Sequence, residues 1–205
     1  MGPFGAKDYR VRRPPVAPYP RAVPDLLKPD LRVHASYLAA MREEPETNSY
    51  LYDGDEATLA DPQAFADYLQ YLTAFEREET PRPDGFVPTT TLWWVDGEEF
   101  LGRVGIRHRL TDHLLAVGGH IGYWIRPSAR RQGHATAAFS AALRVAYGLG
   151  IDPALLTCDE DNIGSRRVIE GAGGRFESRI GLKRRYWVPT RRPDAAHSGR
   201  GAGAG

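Results

Sequence analysis

The segment Ile121-Gly-Tyr-Trp-Ile-Arg-Pro-Ser-Ala-Arg-Arg-Gln-Gly-His-Ala-Thr136 decides the fold of this chain, because it predicts a strand, a loop and the start of a helix in direct succession. The aromatic and β-branched residues at its beginning are typical of a strand, which Pro127 and Ser128 end. Apolar residues then recur on one face of a predicted helix, and they are Ala135, Ala138, Phe139, Ala142, Leu143 and Ala146. This order indicates an α/β protein.

The loop between that strand and that helix has the composition of an anion site. It contains Arg130-x-x-Gly133-x-Ala135, so small residues stand at the entrance of the helix. The first amides of a helix lack acceptors within the helix, and the helix dipole adds partial positive charge there. We therefore expect these amides to bind a pyrophosphate, with charge-assisted contacts from Arg130 and Arg131. The alternative is an ordinary strand-to-helix turn, in which Gly133 serves only the backbone.

The same motif resembles that of the GNAT superfamily of N-acetyltransferases, which is Gln/Arg-x-x-Gly-x-Gly/Ala after a strand and before a helix. Neither the Gly-x-Gly-x-x-Gly of dinucleotide-binding proteins nor a Walker-type Gly-Lys-Ser/Thr occurs in the segment. The resemblance extends over about residues 89–188. The further matching segments are Gly119-His-Ile-Gly-Tyr123, Ala154-Leu-Leu-Thr-Cys158, Thr157-Cys-Asp-x-Asp-Asn162, Asp161-Asn162-x-x-Ser165 and Gly173-Gly174. The chain is most similar to a bacterial branch of predicted acetyltransferases.

The resemblance implies acetyl-CoA as cosubstrate and assigns residues to it. The amide of Ile125 or Arg126 would bind the thioester or the pantetheine arm. The pyrophosphate would lie on the loop and the first helical turn, at Arg130, Arg131, Gln132, Gly133, His134, Ala135 and Thr136. Asn162 and Ser165 would contact the arm, although Asn162 is also a suitable helix cap.

The implied reaction is acetyl transfer to a primary amine of a small molecule or peptide, by direct attack in a ternary complex. An attacking amine must be unprotonated, so a general base is expected near the thioester. His120 is the first candidate, because relatives place a catalytic glutamate near this position and imidazole titrates near neutrality. The alternative is a half-buried histidine bonded to the backbone. His108 and His113 are further candidates.

The acid that protonates the leaving thiolate is less evident. Many relatives use a tyrosine that corresponds here to Ile169. Cys158, Ser165 or Tyr123 could replace it, or no protein acid is needed because the thiolate of CoA leaves readily. Cys158 is also typical of a small buried residue.

The acceptor would bind at the first two helices, the loop between them and the terminal hairpin, which face the thioester in relatives. Aromatic residues there could form a hydrophobic or cation-π pocket, and they are Tyr50, Tyr52, Trp93 and Trp94.

A second hypothesis is a non-catalytic acyl-CoA-binding regulatory module. A third is a nucleic-acid adaptor that uses the arginine-rich ends.

Composition bounds the remaining properties. The 205 residues are 41% hydrophobic and 26% charged, which suffices for one core. We expect a domain over residues 25–190, a flexible Pro/Arg-rich arm over 1–24 and a disordered Gly/Ala-rich tail over 191–205. A net charge of +1 argues against nucleic acid, and one cysteine excludes an internal disulfide and a multi-cysteine metal site. No metal is expected.

The sequence also predicts where the protein resides and how it assembles. Without an apolar run of about 20 residues or a secretory signal, it predicts no membrane association and a cytoplasmic location. Relatives often dimerise, so the resemblance is compatible with a homodimer, but the sequence itself does not reveal the oligomeric state.

The predicted fold is a mixed six- to seven-stranded sheet with a central β-α-β crossover and about four helices. Hairpins are expected around Asp96-Gly97 and Gly181-Leu182. Helices are expected over 29–41 and 62–78, after Gly133 and from Asn162. The crossover demands parallel pairing of the strands over 119–125 and 154–158. Residues 46–60 and 110–115 read as loops.

Overall fold

The computed structural model of the chain describes residues 23–44 and 55–191, which form six α-helices and seven strands. The helices are α1 (His34–Glu43), α2 (Glu56–Leu59), α3 (Pro62–Ala74), α4 (Asp112–Ala116), α5 (His134–Gly148) and α6 (Ile163–Gly171). The strands are β1 (Asp25–Leu27), β2 (Thr89–Asp96), β3 (Glu99–Arg107), β4 (Ile121–Ile125), β5 (Ala154–Asp159), β6 (Arg175–Ile180) and β7 (Lys183–Val188). Almost all of the arm and the tail, together with Tyr50 and Tyr52, lies outside the described residues.

Local sequence signals determine where α1 and α3, the helices that precede β2 in the chain, begin. The carboxylate of Asp61 accepts from the amides of Gln63 (3.0 Å) and Ala64 (2.9 Å), and Pro62 opens α3. The predicted second helix is thereby confirmed, but it ends at Ala74 and not at residue 78. Asp30 caps a short 3-10 turn, so α1 begins only at His34.

The α/β class and the seven strands are confirmed, and the strands are divided between two sheets where the sequence predicted one. All strand ladders are antiparallel, in one sheet ordered β1-β2-β3-β4 and another ordered β5-β7-β6. The expected parallel ladder between β4 and β5 is reduced to one antiparallel bridge, between Gly119 and Leu156. Gly118 and Gly119 adopt positive φ angles of 124° and 66°, which turn the chain just before β4. The two strands therefore meet at one end only.

Three short elements were not predicted. α2 and α4 lie in segments that read as loops, and each has four or five residues with a capping side chain, Asp55 or Thr111. β1 pairs with β2, but its three residues are too few to show a strand pattern in the sequence.

Two apolar clusters cover the two faces of the four-stranded sheet. On one face, α5 and α6 pack against residues such as Val104, Ile121 and Ile125. On the other face, α1 and α3 pack over Trp93, Phe100 and Trp124, and Tyr37 stacks on Trp93 with ring centroids 4.9 Å apart. Successive residues of β4 consequently belong to opposite faces.

Candidate functional site

A cleft of about 700 Å³ opens where β4 and β5 diverge. Its walls are the outer edge of β4, the loop before α5 and the first turn of α6. The residues predicted to bind a cosubstrate that line it are Ile125, Arg130, Arg131, Gly133, Ala135, Thr136, Asn162 and Ser165. The fold thus assembles one site from two segments about 30 residues apart in sequence.

The loop before α5 presents backbone amides to this cleft. Arg131 and Gly133 have left-handed φ angles of 64° and 85°, and no side chain caps the helix. Within the described part of the chain, the amides of residues 131–136 have no protein acceptor. A Cβ atom built on Gly133 meets no atom within 4 Å, so the space in front of the loop is open. Such a run of unsatisfied amides is suited to an anion.

The outer edge of β4 supplies one further donor. The amide of Arg126 donates to the carbonyl of Leu101 at 3.0 Å, which makes Ile125 and Gly102 a non-hydrogen-bonded pair of the antiparallel ladder. The amide of Ile125 therefore points away from β3 and toward the cleft. Of the two amides proposed from the sequence, only that of Ile125 can meet a ligand.

Two arginines expected at the cosubstrate are bound to glutamates at the end of α1. Arg126 is 8% exposed, and its Nε donates to Glu43 at 2.8 Å. Arg130 donates from both terminal nitrogens to Glu44, at 2.8 and 2.6 Å, and from Nε to the carbonyl of Ile125 at 2.9 Å. Arg126 lies outside the cleft lining, so its predicted contact is not supported by the geometry. Sequence reasoning missed both glutamates, because they lie more than 80 residues from their partners.

Glu43 is held as a carboxylate. Burial alone would raise its pKa, but hydrogen bonds from Arg126 and Ser128 outweigh burial and lower the pKa below the ordinary value. The amide and hydroxyl of Ser128 donate to it at 2.8 and 2.9 Å. The end of α1 is thereby fixed against the loop that leads to the cleft.

The opposite wall carries a pair of hydroxyl groups. Asn162 Oδ1 accepts from the amide of Ser165 at 2.9 Å and caps α6, while Ser165 Oγ lies 2.8 Å from Tyr123 Oη. Burial raises the pKa of Tyr123, so its phenol is neutral. Ile169 is fully buried in the core. On this wall of the cleft, the hydroxyl donors are consequently Tyr123 and Ser165.

Comparison with known proteins identifies the family. The sequence model described as "Acetyltransferase (GNAT) domain" matches residues 26–175, which is most of the chain. The chain belongs to the GNAT acetyltransferase family. A sequence search among curated proteins gives no significant match.

Solved structures agree with the GNAT fold at low sequence identity. The self-immunity acetyltransferase MccE, solved with acetyl-CoA and AMP, is 15% identical with a TM-score of 0.54, over 83% of this chain and 97% of that one. RimJ of Mycobacterium smegmatis, solved with CoA-disulfide, is 18% identical with a TM-score of 0.55, over 82% and 81%. A ribosomal-protein-S5-alanine acetyltransferase of Vibrio fischeri is 11% identical with a TM-score of 0.53, over 80% and 90%. These similarities confirm the architecture.

His120 connects the two sheets of the GNAT domain at the end of the cleft where β4 and β5 meet, which we call the closed end of the cleft. Its amide donates to the carbonyl of Leu155 at 2.7 Å, and its Nδ1 accepts from the amide of Leu155 at 2.9 Å. An accepting Nδ1 requires the proton of the neutral ring on Nε2. Burial and the nearby charge of Arg107 lower the pKa of His120, which favours that neutral form. This geometry favours the structural alternative, and the role of His120 as a base stays a prediction.

The remaining candidate residues lie away from the cleft. His134 Nδ1 accepts from Trp94 Nε1 at 3.2 Å, and both His134 and Gln132 border a separate groove. Cys158 is buried, and burial raises the pKa of its thiol. His108 Nε2 lies 2.8 Å from the hydroxyl of Thr90. His113, in α4, also lies outside the lining of the cleft. The same holds for Trp93 and Trp94, which are buried core residues and do not form an acceptor pocket there.

In residues 23–44 and 55–191, no group of three or more histidine, cysteine or carboxylate side chains is arranged to hold a metal ion. In the same ranges, no helix has the length and the apolar content needed to cross a membrane.

Proposed function

We propose that the protein is an N-acetyltransferase that moves the acetyl group of acetyl-CoA to a primary amine of a small molecule or peptide. The observation that carries this proposal is the convergence of unsatisfied amides in one cleft: those of Arg131, Gly133, Ala135 and Thr136 in the loop and the first turn of α5, and one from the edge of β4. Membership of the GNAT acetyltransferase family supports it. Two of the solved neighbours were obtained with acetyl-CoA or CoA-disulfide.

The cosubstrate would enter along the cleft with its pyrophosphate at the start of α5. The amides of Arg131, Gly133, Ala135 and Thr136, which line the cleft, donate to the phosphate oxygens, and the dipole of α5 adds favourable potential. Arg130 is engaged with Glu44, so the side chain of Arg131 is the cation that remains available at the loop. The pantetheine arm then passes between β4 and the first turn of α6.

The amide of Ile125 would hold the oxygen of the thioester carbonyl. This oxygen gains negative charge when the amine attacks, so a fixed donor stabilises the tetrahedral intermediate more than the substrate. Collapse of that intermediate breaks the carbon–sulfur bond and releases CoA as a thiolate. Tyr123, which is neutral and bonded to Ser165, donates the proton that the sulfur takes up.

The attacking nitrogen loses its proton to water in this mechanism. Among the described residues that line the cleft, the carboxylate of Glu44 already accepts from Trp124 and Arg130, and no histidine is present. The amine attacks the thioester directly in a ternary complex, because the one cysteine of the chain, Cys158, is buried and lies outside the lining of the cleft.

The test is to incubate the protein with acetyl-CoA and a panel of amines, and to follow release of the CoA thiol and the mass of each amine. We expect acetylation of at least one amine, and no acetylation by the Gly133→Val protein. Binding of acetyl-CoA without transfer to any amine would instead identify a non-catalytic acyl-CoA-binding module. That second function is favoured by the burial of Ile169 and by the engagement of His120 with Leu155.

A further inference from the structure

The face of the four-stranded sheet opposite α5 is only partly covered. α1 and α3 bury it around Trp93 and Phe100. Beyond these residues the surface is half-exposed at Arg103, Gly105, Arg107 and Gly122, which we call the open strip.

The strand register shows that the open strip is continuous and basic. Gly105 lies between Thr91 and Gly122, so two glycines and a threonine leave the backbone accessible there. Two residues before Gly105 on β3, Arg103 lies opposite Trp93. Two residues after Gly105, Arg107 lies opposite Thr89. No side chain of these three rows is acidic.

The two arginines of the open strip differ from those beside the cleft, because neither has a carboxylate partner. Within the described ranges, Arg103 and Arg107 form no ion pair with Asp or Glu, whereas Arg126 and Arg130 each bind a glutamate. Arg107 donates only to the carbonyls of Gly118 and Gly119, at 3.3 and 3.1 Å. Burial and the neighbouring charge of Arg103 lower the pKa of Arg107. Two half-buried like charges with no counter-ion are unfavourable until an anion joins them.

The open strip lies on the other side of β4 from the proposed pantetheine channel. Tyr123 packs against Phe139 of α5, while Trp124 belongs to the cluster under α1 and α3, so alternate residues of β4 face the two sides. Gly122 therefore faces the open strip. It is three residues from Ile125, a distance of about 10 Å along a strand. A molecule on the strip can thus reach a thioester held at the edge of β4.

We infer that the open strip binds a carboxylate of the acceptor, so that the acceptor is an amine with a carboxylate within about 10 Å of the reacting nitrogen. This chemistry is offered by a peptide amino terminus followed by acidic residues, and by a small amino acid. The glycines of the strip let the acceptor lie against the backbone, and the arginines fix its direction. The inference rests on the proposed function and specifies its substrate class.

The test compares acceptors that differ only in charge. The acceptors are the peptides Ser-Glu-Glu-Ala, Ser-Gln-Gln-Ala and Ser-Lys-Lys-Ala with free amino termini and amidated carboxyl termini, together with free glutamate and glutamine amide, which has no carboxylate. We expect kcat/KM for the acidic peptide or for glutamate to exceed that of the neutral counterpart about tenfold, mainly through KM. A preference for free glutamate would identify a small molecule as the acceptor. A preference seen only between the acidic and the neutral peptide would identify a polypeptide as the acceptor.

Variants connect the preference to the open strip. Arg103→Glu should reverse the ranking in favour of the lysine peptide, and Arg103→Gln should abolish the ranking. Arg144→Glu makes the same charge change on the exposed side of α5 and should keep the ranking of the unchanged protein. Thermal melts establish that each variant is folded.

Two results would overturn the inference, and a third would go further. Equal kcat/KM for acidic, neutral and basic acceptors would overturn it, as would an equal loss for all of them in folded Arg103→Glu. Both leave the proposed transferase function intact. Failure of the unchanged protein to acetylate any amine while it binds acetyl-CoA would overturn the proposed function, and the inference with it.

Discussion

The chain passes from a strand to a helix twice at the cleft, and the two connections use opposite solutions for the same problem. After β4, Arg131 and Gly133 take left-handed conformations, and α5 begins without a side-chain cap. After β5, the side chain of Asn162 turns back and accepts from the amide of Ser165, so α6 is capped by the chain itself. Both connections face one cleft, but the first leaves the six consecutive amides of residues 131–136 without an acceptor, whereas the second leaves only those of Asp161 and Gly164 among the described residues.

This difference supports the proposal that the first connection binds the ligand. Helix amides that lack an acceptor cost free energy when they are withdrawn from water, and a cap normally removes that cost. A helix that dispenses with its cap beside an open cleft has its donors available for an anion. Asn162 lines the same cleft, yet its carbonyl oxygen is already used, so its contribution is mainly to hold α6 in place.

Closing the first connection should have the largest effect. In Gly133→Val, a β-branched residue must adopt φ 85°, and its side chain enters the open space before the amides. We expect the affinity for acetyl-CoA, measured by calorimetry, to fall about a hundredfold, or about 2.7 kcal/mol. Gly148→Ala, at the other end of α5 in helical backbone with nothing within 4 Å, is the matched control and should bind as before. Equal affinities in both variants would contradict the ligand role of the first connection.

The closed end of the cleft, where both halves meet, is tested through His120. His120→Ala leaves the amide of Leu155 without an acceptor and should lower the free energy of unfolding by about 2 kcal/mol. His120→Asn keeps an acceptor near Nδ1 and should recover about half of that loss. Chemical denaturation measures both. Nearly full turnover in folded His120→Asn would support the structural role, whereas loss of turnover with normal stability would restore His120 as the base.

The same residue predicts a pH dependence. Burial lowers the pKa of His120 in the folded state, while in the unfolded chain the pKa is near the ordinary value of 6.5. Below pH 6.5 the unfolded chain binds more protons, so the free energy of unfolding decreases as the pH falls toward the folded pKa. His120→Asn should lack this part of the decrease. His108, whose pKa is also lowered, contributes equally to both proteins and cancels in the comparison.

The hydroxyl pair that links β4 to the second connection should affect chemistry more than binding. Tyr123→Phe removes the proposed proton donor without changing the ring that packs on Phe139. We expect kcat to fall about tenfold with little change in the KM for acetyl-CoA. Ser165→Ala is the companion variant and should cost less, since Tyr123 retains its proton. An unchanged kcat in Tyr123→Phe would show that the thiolate leaves without a protein acid.

Removing the cap of the second connection should have the smallest effect on the ligand. Asn162→Ala loses the bond to the amide of Ser165 and should destabilise the protein by about 1 kcal/mol. Its affinity for acetyl-CoA should change by less than about threefold. A loss as large as that of Gly133→Val would mean that the two connections contribute equally, and the distinction drawn between them would be wrong.

The two connections also differ in what their sequences revealed. Arg130-x-x-Gly133-x-Ala135 has short-range spacing, so the open loop and the helix after it were predictable from the residues alone. The pairing of Arg130 with Glu44 was not, because no local pattern joins residues 86 apart. The separation of β4 from β5 was not predictable either. The crossover predicted a parallel ladder, but the chain turns at Gly118 and Gly119, which have positive φ angles, and one antiparallel bridge remains. Long-range charge pairing and strand divergence depend on the assembled fold.

The most direct test of the central claim, that the uncapped start of α5 binds the pyrophosphate, is calorimetric titration with acetyl-CoA and with S-acetylpantetheine. The two ligands share the thioester and the pantetheine arm, but only the first has the pyrophosphate and the adenosine 3′-phosphate joined to it, and the Gly133→Val protein separates the contribution of the pyrophosphate. We expect acetyl-CoA to bind about a hundredfold more tightly, with no such advantage in Gly133→Val. Equal affinity of the unchanged protein for both ligands would contradict the account.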